Sequence, residues 1–156
     1  MKKIFNLKNF LQERRKLKKQ KKKLIVTNGC FDIPHPGHIK IFERSKKMGD
    51  RLLVLLNSDK SIKMNKGSKR PIFNLRERLI LLSSIKYIDY IIVFDQKTPE
   101  IIITKIRPEI LTKGAEYKKS KIVGSEFLKK IGSKVKVIRM LKNYSTTNII
   151  KKIKKI

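Results

Sequence analysis

The sequence contains a single cysteine, Cys30, in 156 residues. A lone thiol excludes an intramolecular disulfide framework and suits a reducing compartment. Tryptophan is absent, and histidine occurs only twice, as His35 and His38. Long apolar runs are missing as well, and nothing approaches the roughly 20 residues needed to cross a bilayer. The opening Met1-Lys-Lys-Ile-Phe5 carries the charge of a secretory leader, yet no extended apolar segment or small-residue cleavage site follows it, so a cytoplasmic protein is expected. Internal repeats are absent, and the only low-complexity material is lysine-rich. Acidic residues are scarce: 12 Asp and Glu stand against 41 Lys and Arg.

What is abundant is positive charge, +29 in total, with a pI near 10.5. A dedicated nucleic-acid binder gathers such charge on one face or arm and interleaves it with exposed aromatics. Here the cations also occupy loops, helix ends and the C-terminal run Lys151, Lys152, Lys154 and Lys155. The charge is therefore read as a lysine-rich bias that governs solubility and nonspecific binding, and whose field attracts polyphosphates. With 40% hydrophobic residues, a chain of this length forms one compact domain with a working core.

Residues 1–23 read as a basic helix packed on a main domain of residues 24–156, with Phe5, Leu7, Phe10, Leu11 and Leu17 at loosely helical spacing. Leu24–Thr27 is a short β-branched run ending at Asn28-Gly29, the pattern of a buried strand entering a turn. A helix is expected after Gly37, with Gly49 placed to end it. Arg51–Leu56 is continuously apolar, as in a parallel strand covered on both faces. Lys60–Lys69 reads as a loop. Asn74 should cap a helix over 75–85, Tyr90–Phe94 is a third strand, and Thr98 should cap a helix with Pro99 in its first turn. Ile110-Leu111 leads into a polar stretch, Thr112–Ala115; Lys134–Met140 reads as a strand, and Ser145–Asn148 caps a last helix. Alternating strands and helices predict an α/β fold, a Rossmann-like doubly wound parallel sheet with ligands at the carboxyl ends of its strands.

The two histidines lie three apart around Pro36-Gly37, after a strand and turn and at the start of a helix. Free N–H groups and the dipole favour anions at such a place, and imidazoles there can donate to phosphate oxygens as charge develops. A zinc site is the competing reading, but no further histidine or cysteine completes it.

Thr27-Asn-Gly-Cys-Phe-Asp-Ile-Pro-His-Pro-Gly-His38 resembles the signature of the HxGH cytidylyltransferase-type nucleotidyltransferases. Gly49-Asp-Arg-Leu-Leu-Val, Asn57-Ser-Asp59, Lys66-Gly67, Arg70-Pro71, Arg78, Lys113-Gly114 and Ser145-Thr-Thr-Asn-Ile-Ile150 follow in family order. Among the branches, the chain is most similar to the adenylyltransferase domain of bacterial ADP-heptose synthases. The resemblance implies that His35 and His38 bind nucleotide phosphates and stabilise the transition state, and that Lys66 and Arg78 meet phosphates. It implies a nucleotide pocket formed by Thr27, Asn28, Gly29, Cys30, Phe31, Asp32, Gly37, Lys113 and Gly114, with Ser145, Thr146 and Thr147 receiving the β- and γ-phosphates. Asn57 and Asp59 would help position the acceptor. Phe31 serves core packing equally well, and the Ser-Thr-Thr run serves as a plain helix cap. Two departures stand out: Ala115-Glu116 where this branch commonly has Gly-Asp, and Lys142-Asn143 where it tends to have an acidic residue and Gly.

The resemblance implies an enzyme moving AMP from ATP to D-glycero-β-D-manno-heptose 1-phosphate, releasing pyrophosphate, for lipopolysaccharide precursor supply. Magnesium is expected to arrive with ATP, held mostly by phosphate and water. The resemblance also implies a homodimer, and a separate kinase would supply the heptose phosphate. Two alternatives stand beside this reading. One is a cytidylyltransferase acting on glycerol 3-phosphate or a similar alcohol phosphate. The other, prompted by the charge, is a nucleic-acid-binding protein on a degenerate nucleotidyltransferase fold.

Overall fold

The structure is a computed structural model, and it describes residues 3–114, 122–139 and 144–155. Its frame is a six-stranded sheet: β1 (Ile4–Phe5), β2 (Leu24–Gly29), β3 (Arg51–Asn57), β4 (Tyr90–Phe94), β5 (Ile110–Gly114) and β6 (Lys134–Ile138). The strands lie in the order β1-β4-β3-β2-β5-β6, and every pairing is parallel. The helices are α1 (Leu7–Lys19), α2 (Pro36–Lys46), α3 (Asp59–Lys66), α4 (Leu75–Ser84), α5 (Glu100–Ile106), α6 (Ser125–Lys130) and α7 (Thr146–Ile153).

The apolar run of β3 shows why the sheet is covered on both faces. Side chains alternate along a strand. Leu52, Val54 and Leu56 enter one core with Ile25, Phe42 and Leu82, whereas Leu53 and Leu55 enter the other with Phe10, Leu17, Val26 and Ile103. Full burial of each such side chain contributes about 1.5–3 kcal/mol. β2 sits at the topological switch, with β3 on one side and β5 on the other. Crossovers diverge there and leave a crevice beyond the strand ends.

The N-terminal segment differs from a continuous helix. Ile4 and Phe5 pair with β4 as a parallel edge strand, Asn6 caps α1 by accepting from the Asn9 amide, and the helix stops at Lys19. Phe10, Arg14 and Leu17 form its buried stripe. The Arg14 guanidinium donates to the carbonyls of Ile106 and Arg107 at 3.0 and 2.6 Å and pairs with Glu109 at 2.6 Å. Glu109 also accepts from the Leu24 amide at 2.7 Å, so α1 is tied to the start of β2.

Several local expectations give way. Lys60–Lys69, read as a loop, is mostly α3: Ser58 caps it, and Ser61 and Ile62 bury one turn of an otherwise polar surface. Thr112-Lys-Gly114 continues β5, because its backbone pairs with Lys136–Ile138 of β6. The cap of α5 is Pro99, one residue later than expected, and β6 stops at Ile138. α6, short and with only Leu128 buried, had no expectation attached to it. Gly49 follows the end of α2, but its requirement is close approach, since a Cβ there would fall 2.0 Å from Ile25 Cδ1. Asn74 caps α4 as expected, in a reciprocal capping box with Glu77.

Candidate active site

A cleft of about 700 Å³ opens at the carboxyl ends of β2 to β5, over the switch point. Its central element is the turn between β2 and α2. Phe31 and Ile33 adopt left-handed backbone conformations there, with φ of 45° and 52°. Such values are uncommon outside glycine and outlying for a β-branched residue, so the surroundings must enforce them. Part of that enforcement comes from Asp32, whose buried carboxylate accepts from the Ile72 and Phe73 amides at 2.9 and 2.8 Å. The same carboxylate pairs with Arg70 at 2.6 Å, and the Asp32 carbonyl accepts from Thr146 Oγ1 at 3.1 Å.

His35 is the residue that caps α2, with Pro36 following in the first turn. One helical turn brings His38 over it, and the rings stack at 3.7 Å with 22° between planes. Phe31 meets the His38 ring edge-on at 5.2 Å. A Cβ on Gly37 would lie 3.0 Å from the His35 ring, so glycine is what lets the chain pass so close. Burial foremost, then the neighbouring His35 and Lys66, lowers the His38 pKa to about 3. The imidazole is therefore neutral at physiological pH. Its Nδ1 is buried without a hydrogen-bond partner among the described residues, a costly condition that marks functional sites.

Two walls face this pair. On the β5 side, Ser145 caps α7 by accepting from the Asn148 amide at 3.1 Å, and Ser145, Thr146 and Thr147 line the cleft. The start of a helix leaves backbone donors unpaired and carries the positive end of the dipole. Lys113 stands nearby and donates to the Asn28 carbonyl at 3.0 Å. On the β3 side, Lys66 from α3, Arg70 from the following loop and Lys97 from the β4–α5 loop supply cations. Together the walls can hold two phosphate-bearing molecules with the histidines between them.

Most of the residues singled out from sequence meet here. Thr27 to Asp32, His35, His38, Asn57, Lys66, Lys113, Gly114 and Ser145 to Thr147 all line the cleft. Gly37 lies behind the histidines. Arg78 departs from its expected place at the phosphates: it is fully buried behind the wall, donating to main-chain carbonyls and to Asp59. Asp59 likewise turns from the cleft, pairing with Arg78 at 2.6 Å and accepting from the Leu75 amide at 3.2 Å. Asn57 does line the cleft, and its amide donates to Ser61 Oγ at 2.9 Å. Arg70, Lys97 and Asn65 are wall residues to which the sequence assigned no role. Arg70 had a signal, since Arg70-Pro71 belongs to the family order, but a further lysine at 97 is invisible in so lysine-rich a chain. Ala115, Glu116, Lys142 and Asn143 lie outside the described residues.

Among the described residues, no group of three or more His, Cys, Asp or Glu gathers to hold a metal ion. None of the described helices is long and apolar enough to cross a membrane.

A parallel sheet with its ligand cleft at the switch point, paired histidines at one helix start and a Ser-Thr-Thr cap at another together define a nucleotidyltransferase. The cytidylyltransferase-like family model matches residues 26–152, and the chain belongs to that family. It is 48% identical over 136 residues to the bifunctional protein HldE of Campylobacter concisus, covering 87% of this chain and 28% of that protein. To the HldE of Haemophilus ducreyi it is 42% identical over 150 residues, covering 96% of this chain and 31% of the other. The chain thus spans less than a third of the length of these curated relatives. Among solved structures, it is similar to a lipopolysaccharide core biosynthesis protein from Thermoplasma volcanium, with a TM-score of 0.62 and 33% identity. That match covers 80% of this chain and 99% of the other. A pantoate-beta-alanine ligase from Francisella tularensis shares the fold at a TM-score of 0.65, covering all of this chain and 79% of the other, with 19% identity.

Proposed function

We propose that this domain transfers AMP from ATP to D-glycero-β-D-manno-heptose 1-phosphate, producing ADP-heptose and pyrophosphate as a precursor for lipopolysaccharide. The observation that carries the reading is the stacked His35–His38 pair, with His38 held neutral by burial, set between two separate anion-holding walls. Relatives named as bifunctional HldE proteins and a lipopolysaccharide core biosynthesis protein support the choice of acceptor.

In this mechanism a phosphate oxygen of the sugar attacks the α-phosphorus of ATP. A new P–O bond forms, the α–β bridging bond breaks, and pyrophosphate leaves with the electron pair. An ionised phosphate is already a nucleophile, so the chain supplies alignment and charge stabilisation rather than a base. His35 and His38 donate to oxygens that gain charge. The α7 start and Lys113 hold the β- and γ-phosphates, while Lys66 and Arg70 orient the reacting groups. Cys30 contributes a small side chain to the turn and performs no nucleophilic step. The Asp32 carboxylate is already engaged by Arg70 and two amides, so a magnesium ion bound with ATP would be held by phosphate and water oxygens and would neutralise charge on the triphosphate. The acceptor is the product of a kinase acting at C1, the assembly is a homodimer, and the work is cytoplasmic.

The test is a panel of ATP and CTP against heptose 1-phosphate and glycerol 3-phosphate, followed by pyrophosphate release. Release from ATP with the heptose phosphate is the expected result. A clear preference for CTP or for glycerol 3-phosphate overturns the choice of substrates, and no release with tight nucleic-acid binding overturns the enzyme reading.

A further inference from the structure

Among the described residues, the fully buried Arg78 is the largest sealed side chain, and it does not line the cleft. A guanidinium has five donors in a fixed plane and is always charged, so its burial demands acceptors arranged around it. Arg78 has them from three separate segments. Nη1 donates to the Cys30 carbonyl at 2.8 Å and to the Asn57 carbonyl at 2.7 Å. Nε donates to the Phe73 carbonyl at 3.1 Å, and Nη2 pairs with Asp59 at 2.6 Å. These acceptors belong to the turn after β2, the junction where β3 ends and α3 begins, and the loop that precedes α4.

All three segments build the cleft. The turn is the one that carries left-handed Phe31 and Ile33, and the loop is the one whose amides grip Asp32. The turn is thus clamped on both sides of Phe31, through the Cys30 carbonyl to Arg78 and through the Asp32 carboxylate to the loop. Strained residues persist only where their surroundings over-determine them. From this geometry we infer that Arg78 is a positioning residue: it holds the Cys30–Ile33 turn in the strained form that binds the triphosphate, acting from behind the wall without touching substrate. Lysine cannot replace it, because an ammonium is a point charge with no planar fork to reach three segments at once. The inference deepens the reading of the cleft as an ATP site and rests on it only that far, since it needs no particular acceptor.

The decisive experiment measures ATP affinity by titration calorimetry on the full chain. R78K should keep its secondary structure by circular dichroism while binding ATP at least tenfold more weakly, with KM for ATP rising more than kcat falls. A second substitution separates positioning from general support. Glycine adopts a left-handed backbone without the penalty that isoleucine bears. Ile33→Gly, a residue that does not line the cleft, should therefore recover several-fold of the lost ATP affinity in the R78K background. A merely structural role for Arg78 predicts no such recovery. Should R78K fail to fold, Asp59→Asn loosens the same guanidinium without emptying its site, and a rise in the Kd for ATP of a few-fold is expected. ATP binding unchanged in a folded R78K or in D59N overturns the inference, as does an R78K defect that Ile33→Gly leaves untouched. Failure of the heptose reading shows separately, as wild-type protein that binds ATP yet releases no pyrophosphate with the sugar phosphate.

Discussion

His38 shows how burial decides chemistry at the scale of one residue. A histidine held at a pKa of about 3 carries no charge at pH 7, so in the proposed reaction it would act as a neutral donor. His38→Asn removes the ring from its stack and should lower kcat by roughly 10²–10³, the usual cost of one lost transition-state donor. Pyrophosphate release checks this, and turnover at the wild-type rate would refute the assignment. The same shift has a consequence for stability. An unfolded histidine protonates near pH 6.5, the folded one near 3. Between those values the unfolded chain binds a proton that the folded chain lacks, so stability falls as pH drops through that window. Thermal melts from pH 7 to 3 should show a shallower decline in His38→Asn than in wild type. An equal slope in both would mean that the buried ring is not the titrating group. At this scale the sequence was readable where spacing brings side chains together, as at His35 and His38, whose rings stack in the cleft. It misled at Arg78, because a family position says that a cation is needed and not which way it points.

Elements were legible where pattern and capping agree. Asn74 with Glu77, the unbroken apolar β3 and the Ser145 cap all follow from local rules, and each appears in the fold. α3 escaped because Asp59-Lys-Ser-Ile-Lys-Met-Asn-Lys66 buries only Ser61 and Ile62, too little to register as a periodic apolar face. β1 escaped because a two-residue strand is defined by its partner, β4, and not by its own composition. α1 supports a prediction of its own. Phe10 is entirely buried and packs edge-on against Phe5 and Tyr90, at 6.0 and 5.2 Å. The helix therefore belongs to the same core as the sheet, and Phe10→Ala should cost the whole molecule about 3–5 kcal/mol. Denaturant unfolding followed by tryptophan-free probes, circular dichroism and tyrosine fluorescence, should shift as one transition. Separate transitions would show α1 to be an independent appendage. The proposed function gives the α7 cap a second role: Ser145→Ala should cost about 1 kcal/mol of stability and also weaken ATP binding. A loss of stability with full ATP affinity would remove the helix start from the phosphate site.

At the scale of the whole molecule the outstanding quantity is +29, which single motifs do not explain. Its placement bears on function. Acidic partners are few, and they are spent mainly on short local pairs such as Lys40–Glu43 and Lys47–Glu43 or on fastening elements, as in Arg14–Glu109 and Lys46–Asp89. Lys66, Arg70, Lys97 and Lys113 all line the cleft, where Asp32 pairs with Arg70. A concave site under a net positive field concentrates anions, and both substrates of the proposed reaction are polyanionic. The benefit is long-range and therefore screened, with a Debye length of about 30 Å at 0.01 M salt and about 3 Å at 1 M. Raising ionic strength should accordingly increase KM for ATP several-fold while leaving kcat nearly constant, because the contacts that act on the bound triphosphate are short and shielded from salt. Nonspecific nucleic-acid binding, which rests on the same field, should vanish over the same range. If kcat falls in step with KM, salt is reaching the site itself. If KM stays flat while nucleic-acid binding persists into high salt, the charge serves a specific nucleic-acid surface and not the capture of small polyanions.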